Sequence, residues 1–318
     1  MIEKVGVIGS GTMGFGIAFQ LVSNGTKVIL VDSNEQALRF AQLKLSEYLK
    51  IFKEEGYLFK DSDEAIMQRI TFTTTISEVA NCDLVIESAT ENLQLKKKIF
   101  KELDQICHQQ AILTSNTSSL KLSDITKNVV HHKERVLLTH FFNPAHIVPL
   151  VELLKGHETQ QTVYDEVAQF MEDMGKVTIE VHKEVPGLVA NRIQTALARE
   201  ALALLEDGVI SEEDLEKVLF AGPGFRYASS GILKIMDFGG LDVWRIVLAQ
   251  LQPEIESNVR KFDILEEKVV NGQLGVKSSS GFFDYPGKGL DELVIARDRS
   301  LIKQLKTFKE MNGGKINA

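Results

Sequence analysis

A strand, a glycine-rich turn and a helix follow one another without a break at the start of the chain. The strand reads Lys4-Val5-Gly6-Val7-Ile8, the turn Gly9-Ser10-Gly11-Thr12-Met13-Gly14, and the helix Phe15 to Ser23. The first run reads as a buried parallel strand, and a second, Val28-Ile29-Leu30-Val31, ends in Asp32. A bare GxGxxG recurs by chance, but flanked by strand, helix and acid it marks a dinucleotide-binding βαβ unit. Gly9 then permits the tight turn, Gly11 lets the backbone approach a pyrophosphate, and Gly14 lets helix and strand pack closely. The anion rests on unpaired N–H groups at the helix N-terminus, so Gly9, Gly11, Thr12, Met13 and Gly14 form the expected cofactor loop. Asp32 is placed to accept hydrogen bonds from the adenosine ribose hydroxyls and would repel a 2′-phosphate, which favours NAD over NADP.

A chain of 318 residues is long for one core, and two domains are the natural expectation. The formal charge of −8 argues against non-specific nucleic-acid binding, because no basic excess replaces phosphate counterions. The two cysteines, Cys82 and Cys107, show neither disulfide nor metal-type spacing, which fits a reducing cytoplasm and predicts no metal. The first strand starts at the very beginning of the chain, leaving no room for a signal peptide, and no apolar run reaches the length of a membrane span.

After Asp32, apolar positions Ala37, Leu38, Ala41, Leu45, Leu49 and Phe52 predict a helix from Asn34 to about Lys53 with one buried face. Further strands are expected at Ile70–Thr74, Asp83–Glu87, Ala111–Thr114, Val136–His140, Val148–Leu154 and Lys176–Val181, with a helix at Leu93–Cys107. The alternation predicts an α/β fold of the Rossmann type, a doubly wound and mainly parallel sheet. Beyond Pro186 the pattern becomes helical, so residues 1–184 are expected to form the nucleotide-binding domain and 185–318 an all-helical second domain. Ser211-Glu212-Glu213-Asp214 reads as a helix cap with acids in the first turn. The tail from Ser300 reads as a polar helix fraying at Gly313-Gly314.

Two strand ends carry polar groups toward the edge where such sheets bind ligands. Ile112 to Leu120 empties into Ser115-Asn116-Thr117-Ser118-Ser119, which reads either as a ligand edge or as a turn and helix cap. The next strand ends in His140-Phe141-Phe142-Asn143-Pro144. His140 is either a satisfied core residue or a base. Glu152, isolated in Pro149-Leu150-Val151-Glu152-Leu153-Leu154, is either a partner for it or an edge residue facing water. A carboxylate on an imidazole fixes its tautomer and supports the imidazolium, as a general base near neutral pH requires.

These motifs, together with Glu91-Asn92-Leu93, Pro186-Gly187-Leu188-Val189-Ala190-Asn191-Arg192 and Ser280-Gly281-Phe282-Phe283-Asp284-Tyr285, occur in an order that resembles the 3-hydroxyacyl-CoA dehydrogenase family. The resemblance runs from residue 1 to about 287. It implies that His140 takes the 3-hydroxyl proton while hydride leaves for NAD, that Glu152 orients His140, and that Ser118 and Asn191 hydrogen-bond the substrate. It also implies that Glu91, Lys96, Ser118, Asn143 and Lys277 line the nicotinamide end of the cofactor site, and that the helical domain forms a homodimer. The substrate implied is a short (S)-3-hydroxyacyl-CoA.

Two stretches depart from that pattern. Lys50-Ile51-Phe52-Lys53-Glu54-Glu55-Gly56 stands where acyl-CoA enzymes of the family often carry a lysine-rich run, so attraction for CoA phosphates rests on Lys50, Lys53 and Lys60 alone. Gly222-Pro223-Gly224-Phe225-Arg226-Tyr227-Ala228 resembles relatives that oxidise free hydroxy acids, such as L-carnitine and L-gulonate dehydrogenases. Arg226 would there pair a substrate carboxylate bidentately, or else make a surface salt bridge. A non-catalytic nucleotide-binding relative is the remaining alternative.

Overall fold

Residues 1–311 are described by a computed structural model. The apolar runs form eight strands: β1 Lys4–Ile8, β2 Lys27–Val31, β3 Ile70–Thr73, β4 Leu84–Glu87, β5 Ile112–Ser115, β6 Val136–Phe141, β7 Leu150–Lys155 and β8 Val177–Glu180. They make one sheet in the order β3-β2-β1-β4-β5-β6-β7-β8. Every pairing is parallel except β6 with β7. The short link between those two strands leaves no room for a crossover helix, so the chain reverses instead. The order turns about β1 and β4, the switch point outside which such sheets open a ligand crevice.

The helices of the first half are α1 Thr12–Ser23, α2 Glu35–Glu54, α3 Asp63–Met67, α4 Leu93–Ile106, α5 Leu122–Ile125 and α6 Gln161–Asp173. Asn34 caps α2, accepting from the N–H groups of Gln36 and Ala37, and Asn92 caps α4 through Leu95 N–H. The predicted stripe of α2 is buried at Leu38, Ala41, Leu45, Leu49 and Phe52, joined by Tyr48 and Ile51. One face of the sheet packs on Ile99, Phe100 and Leu103 of α4. Elsewhere Phe15, Phe19, Tyr48, Phe52 and His146 form an aromatic cluster, with Tyr48 and His146 rings 4.6 Å apart.

The second half is helical: α7 Ala190–Glu206, α8 Glu212–Ala221, α9 Pro223–Tyr227, α10 Ile232–Gly239, α11 Leu241–Leu251, α12 Asp263–Val270 and α13 Leu290–Met311. Ser211 caps α8 by accepting from Asp214 N–H. The chain divides into two compact units, Met1–Val189 with the segment from Asp298 onward, and Ala190–Arg297. This differs from the expected 1–184 and 185–318 chiefly at the C-terminus, where most of α13 joins the first unit. The reason is that α13 is not polar all round. Ile302 and Leu305 are buried, and Asp298 is fully buried, accepting from the Tyr48 hydroxyl at 2.5 Å. Arg299 adds ion pairs to Glu54 and, at 2.7 Å, to Glu55. The expected fraying at Gly313-Gly314 lies outside the described residues. Among the described residues no helix is long and apolar enough to cross a membrane.

Candidate active site

The glycine loop has the shape its sequence predicts. Gly9 has φ +101°, and a Cβ there would stand 2.6 Å from the Ser88 carbonyl oxygen. A Cβ on Gly14 would stand 1.8 Å from the Gly9 oxygen, so the helix lies directly against the turn. At Gly11 a Cβ would meet nothing within 4 Å, and α1 has no side-chain cap. An open approach over uncapped N–H groups fits the pyrophosphate of a dinucleotide. Asp32 faces this loop: one carboxylate oxygen accepts from Ser10 N–H and Ser10 Oγ, both at 2.8 Å, and the other from Asn34 N–H at 2.9 Å. Two carboxylate oxygens offer about four acceptor sites, so ribose hydroxyls retain one. The Ser10 tether couples the acid to the turn, a link the sequence reading did not include.

At the end of β4 a buried charge network supports the same edge. Glu87 is wholly buried and accepts from Lys96 Nζ at 2.6 Å, Ser115 Oγ at 2.6 Å and Ala89 N–H at 2.7 Å. Lys96, itself buried, also donates to the Ala89 carbonyl at 3.0 Å and lies 3.3 Å from Glu91. Glu91 in turn accepts from Thr117 Oγ1 at 2.5 Å and from Ser119 Oγ at 2.8 Å. Burial opposes ionisation of Glu91, but those hydrogen bonds and the Lys96 charge outweigh it and hold the carboxyl below its usual range. Of the hydroxyl-rich turn, Ser115, Thr117 and Ser119 are thus occupied by these two acids. Ser118 is half-buried in the same turn. Sequence reasoning missed Glu87, although a lone carboxylate ending an apolar strand is the signal that drew attention to Glu152.

His140 and Glu152 are direct cross-strand partners in the antiparallel β6–β7 pair. His140 Nδ1 lies 2.7 Å from Glu152 Oε2, and both residues are buried. Glu152 therefore does not face water. Its other oxygen accepts from Val189 N–H at 2.9 Å. With Nδ1 held by the carboxylate, Nε2 is the imidazole atom left to exchange a proton. Asn116 accepts from Phe141 N–H at 2.8 Å and donates to Ser88 Oγ at 3.3 Å, pinning the ends of β4, β5 and β6 together beside His140. Asn143, itself exposed, follows on the loop after β6.

The structure places Gly9, Gly11, Thr12, Met13, Gly14, Asp32, Glu91, Lys96, Ser118, His140, Asn143 and Glu152 in the first unit, on loops, strands and the first turns of α1 and α4. The other expected site residues belong to the second unit. Asn191 is in the first turn of α7, Arg226 is exposed on α9, and Lys277 is exposed in a single turn at Val276–Ser278. Arg226 makes no ion pair among the described residues. Lys50 and Lys53 lie on α2 with acids already beside them, Lys50 3.8 Å from Glu54 and Lys53 2.7 Å from Asp63. Among the described residues no group of three or more His, Cys, Asp or Glu could hold a metal ion.

Residues 4–185 match the model of the 3-hydroxyacyl-CoA dehydrogenase NAD binding domain, and residues 187–285 match that of the 3-hydroxyacyl-CoA dehydrogenase C-terminal domain. The chain is 30% identical over 303 residues to 5-formyl-3-hydroxy-2-methylpyridine 4-carboxylate 5-dehydrogenase of Mesorhizobium japonicum, covering 95% of this chain and 97% of that protein. It is 34% identical over 288 residues to a probable 3-hydroxybutyryl-CoA dehydrogenase of Bacillus subtilis, covering 90% of this chain and 99% of that protein. The crystal structure of a 5-formyl-3-hydroxy-2-methylpyridine 4-carboxylic acid 5-dehydrogenase, described as an NAD+-dependent dismutase, superposes with a TM-score of 0.89 at 30% identity, over 98% of this chain and 99% of that one.

Proposed function

We propose, for a chain that belongs to the 3-hydroxyacyl-CoA dehydrogenase family, the NAD-dependent oxidation of a short (S)-3-hydroxyacyl-CoA, such as 3-hydroxybutyryl-CoA, to the 3-oxoacyl thioester. The observation that carries this reading is the buried His140–Glu152 pair, 2.7 Å apart at the sheet edge that also bears the glycine loop. Oxidation breaks the O–H and C3–H bonds and forms the carbonyl. The proton passes to His140 Nε2, and Glu152 stabilises the imidazolium through Nδ1. Bound NAD supplies the acceptor for the hydride that leaves C3. Ser118 and Asn191 hold the reacting oxygen, while Glu91, Lys96, Asn143 and Lys277 line the nicotinamide end. We assign homodimerisation in the cytoplasm, with the second unit as the contact. Its exposed Phe220, Phe225, Leu233 and Phe238 are apolar surface that a second copy would cover.

A second reading, a free hydroxy acid as substrate, is favoured by a specific observation. The pyridine-carboxylate enzyme superposes with a TM-score of 0.89, against 0.66 for a 3-hydroxyacyl-CoA dehydrogenase of Archaeoglobus fulgidus that covers the same 98% of this chain. The prior engagement of Lys50 and Lys53 by acids points the same way, and Arg226 would then anchor the carboxylate. NADH consumption with acetoacetyl-CoA, free acetoacetate and dehydrocarnitine separates the two. Turnover of acetoacetyl-CoA that is lost in His140→Ala supports the first reading. Turnover confined to the free acids replaces it with the second.

A further inference from the structure

The first unit contains a cavity of about 270 Å³ at the end of α1 farther from the glycine loop. Twelve residues of α1 separate the two places, about 18 Å at the rise of a helix. One wall is aromatic, formed by Phe19, Phe52, Tyr57 and Phe59. The rest carries three ammonium groups, those of Lys60, Lys176 and Lys309. None of the three is ion-paired among the described residues. The acid on the lining, Asp173, accepts from Gln169 Nε2 at 2.8 Å.

Lys176 is the unusual member. Only 6% of it is exposed, and its Nζ donates to the carbonyls of Ala145 at 2.6 Å and Val148 at 2.9 Å, which leaves one N–H of the three unassigned. Burial first, and then the neighbouring Lys309 charge, push it down to about 7. Lys309 donates to the Tyr57 hydroxyl at 2.5 Å and stands 4.8 Å over the Tyr57 ring. A buried ammonium beside a second ammonium either gives up its proton or gains an anion, and an anion in the cavity would restore the charged form. Nothing in the reaction proposed above uses Lys176 or Lys309.

We propose that this cavity is a second binding site, taking a small organic carboxylate with its acidic head between Lys176 and Lys309 and its apolar body against the Tyr57–Phe59 wall. The volume suits a ligand of about ten heavy atoms, for which a Kd on the order of 1 mM is expected. The site is separate from the cofactor loop, so the proposal stands whichever substrate the enzyme takes.

Calorimetry and thermal shift on the full chain test it with benzoate as the probe, beside benzylamine and inorganic phosphate. Benzoate should bind saturably and raise the melting temperature without displacing NADH, and benzylamine should do neither. Lys309→Gln should weaken benzoate at least about tenfold. Lys60→Gln, which alters only an exposed side chain, should weaken it less and keeps the test open if Lys309→Gln proves unstable. Equal binding of benzylamine, competition between benzoate and NADH, or unchanged affinity in both lysine variants would overturn the proposal. Phosphate binding as tightly as benzoate would overturn the part assigned to the aromatic wall.

Discussion

Replacing Glu152 with glutamine tests the core of the mechanism, because it keeps the size of the side chain and removes its charge. The carboxylate lies 2.7 Å from His140 Nδ1, which puts it about 4 Å from the centre of an imidazolium. At an effective dielectric constant near 20, a pair at that distance contributes about 4 kcal/mol. If that support is expressed mainly when His140 holds the proton, its loss costs roughly 10³-fold in kcat. A second, structural cost follows from donor counting. Glu152 accepts from both the imidazole and Val189 N–H, at 2.7 and 2.9 Å. Glutamine has one acceptor oxygen for those two donors, so one N–H goes unsatisfied at about 1–3 kcal/mol of stability. Initial rates by NADH absorbance should therefore show kcat down by about 10²–10⁴, and chemical denaturation a modest loss of stability. NADH titration by fluorescence should show affinity within about threefold of wild type, since Glu152 does not touch the glycine loop. A folded, NADH-binding variant with nearly unchanged kcat would refute the reasoning.

Asp32→Ser removes the negative charge facing the ribose and two acceptor bonds from Ser10, so NAD affinity should fall and discrimination against NADP should shrink by about tenfold or more. The ratio of kcat/KM for the two cofactors reports this, and an unchanged ratio would remove Asp32 from cofactor choice. Lys176 gives a pH signature. Its folded value near 7 is below its ordinary 10.5, so between those values the unfolded chain binds more protons than the folded one. Stability should therefore rise with pH across that window, by at most about 1.4 kcal/mol per pH unit from this group. Urea unfolding of wild type and Lys176→Met over that range checks it: the variant should lose that rising component, and identical slopes would contradict the burial argument.

Periodicity and local chemistry carried much of the architecture. The strand-to-helix turn at Gly9–Gly14, the cap at Ser211 and the buried stripe of α2 depend on neighbours within a few positions, which is why sequence exposes them. The ends of elements were less legible. The reversal between β6 and β7 depends on where the chain can next find a strand to pair with, and the docking of α13 depends on Tyr48 accommodating Asp298. A charged residue in a helix that looks polar gives no sign of so distant a partner.

The site divides the same way. From its own residues the chain specifies a dinucleotide loop, an acid after the second strand and a histidine at a strand end, because each owes its role to the element that carries it. Only the tertiary structure decided which groups those residues meet. Cross-strand register set Glu152 against His140, a crossover brought Ser115 to Glu87, and the turn geometry tied Ser10 to Asp32. Carboxylates withdrawn from water must find donors. Donors at that distance along the chain are supplied by topology, so the partners of Glu87 and Asp298 could be read only from the folded molecule, whereas for Glu152 the fold chose between the His140 partner and the water-facing edge that the sequence offered.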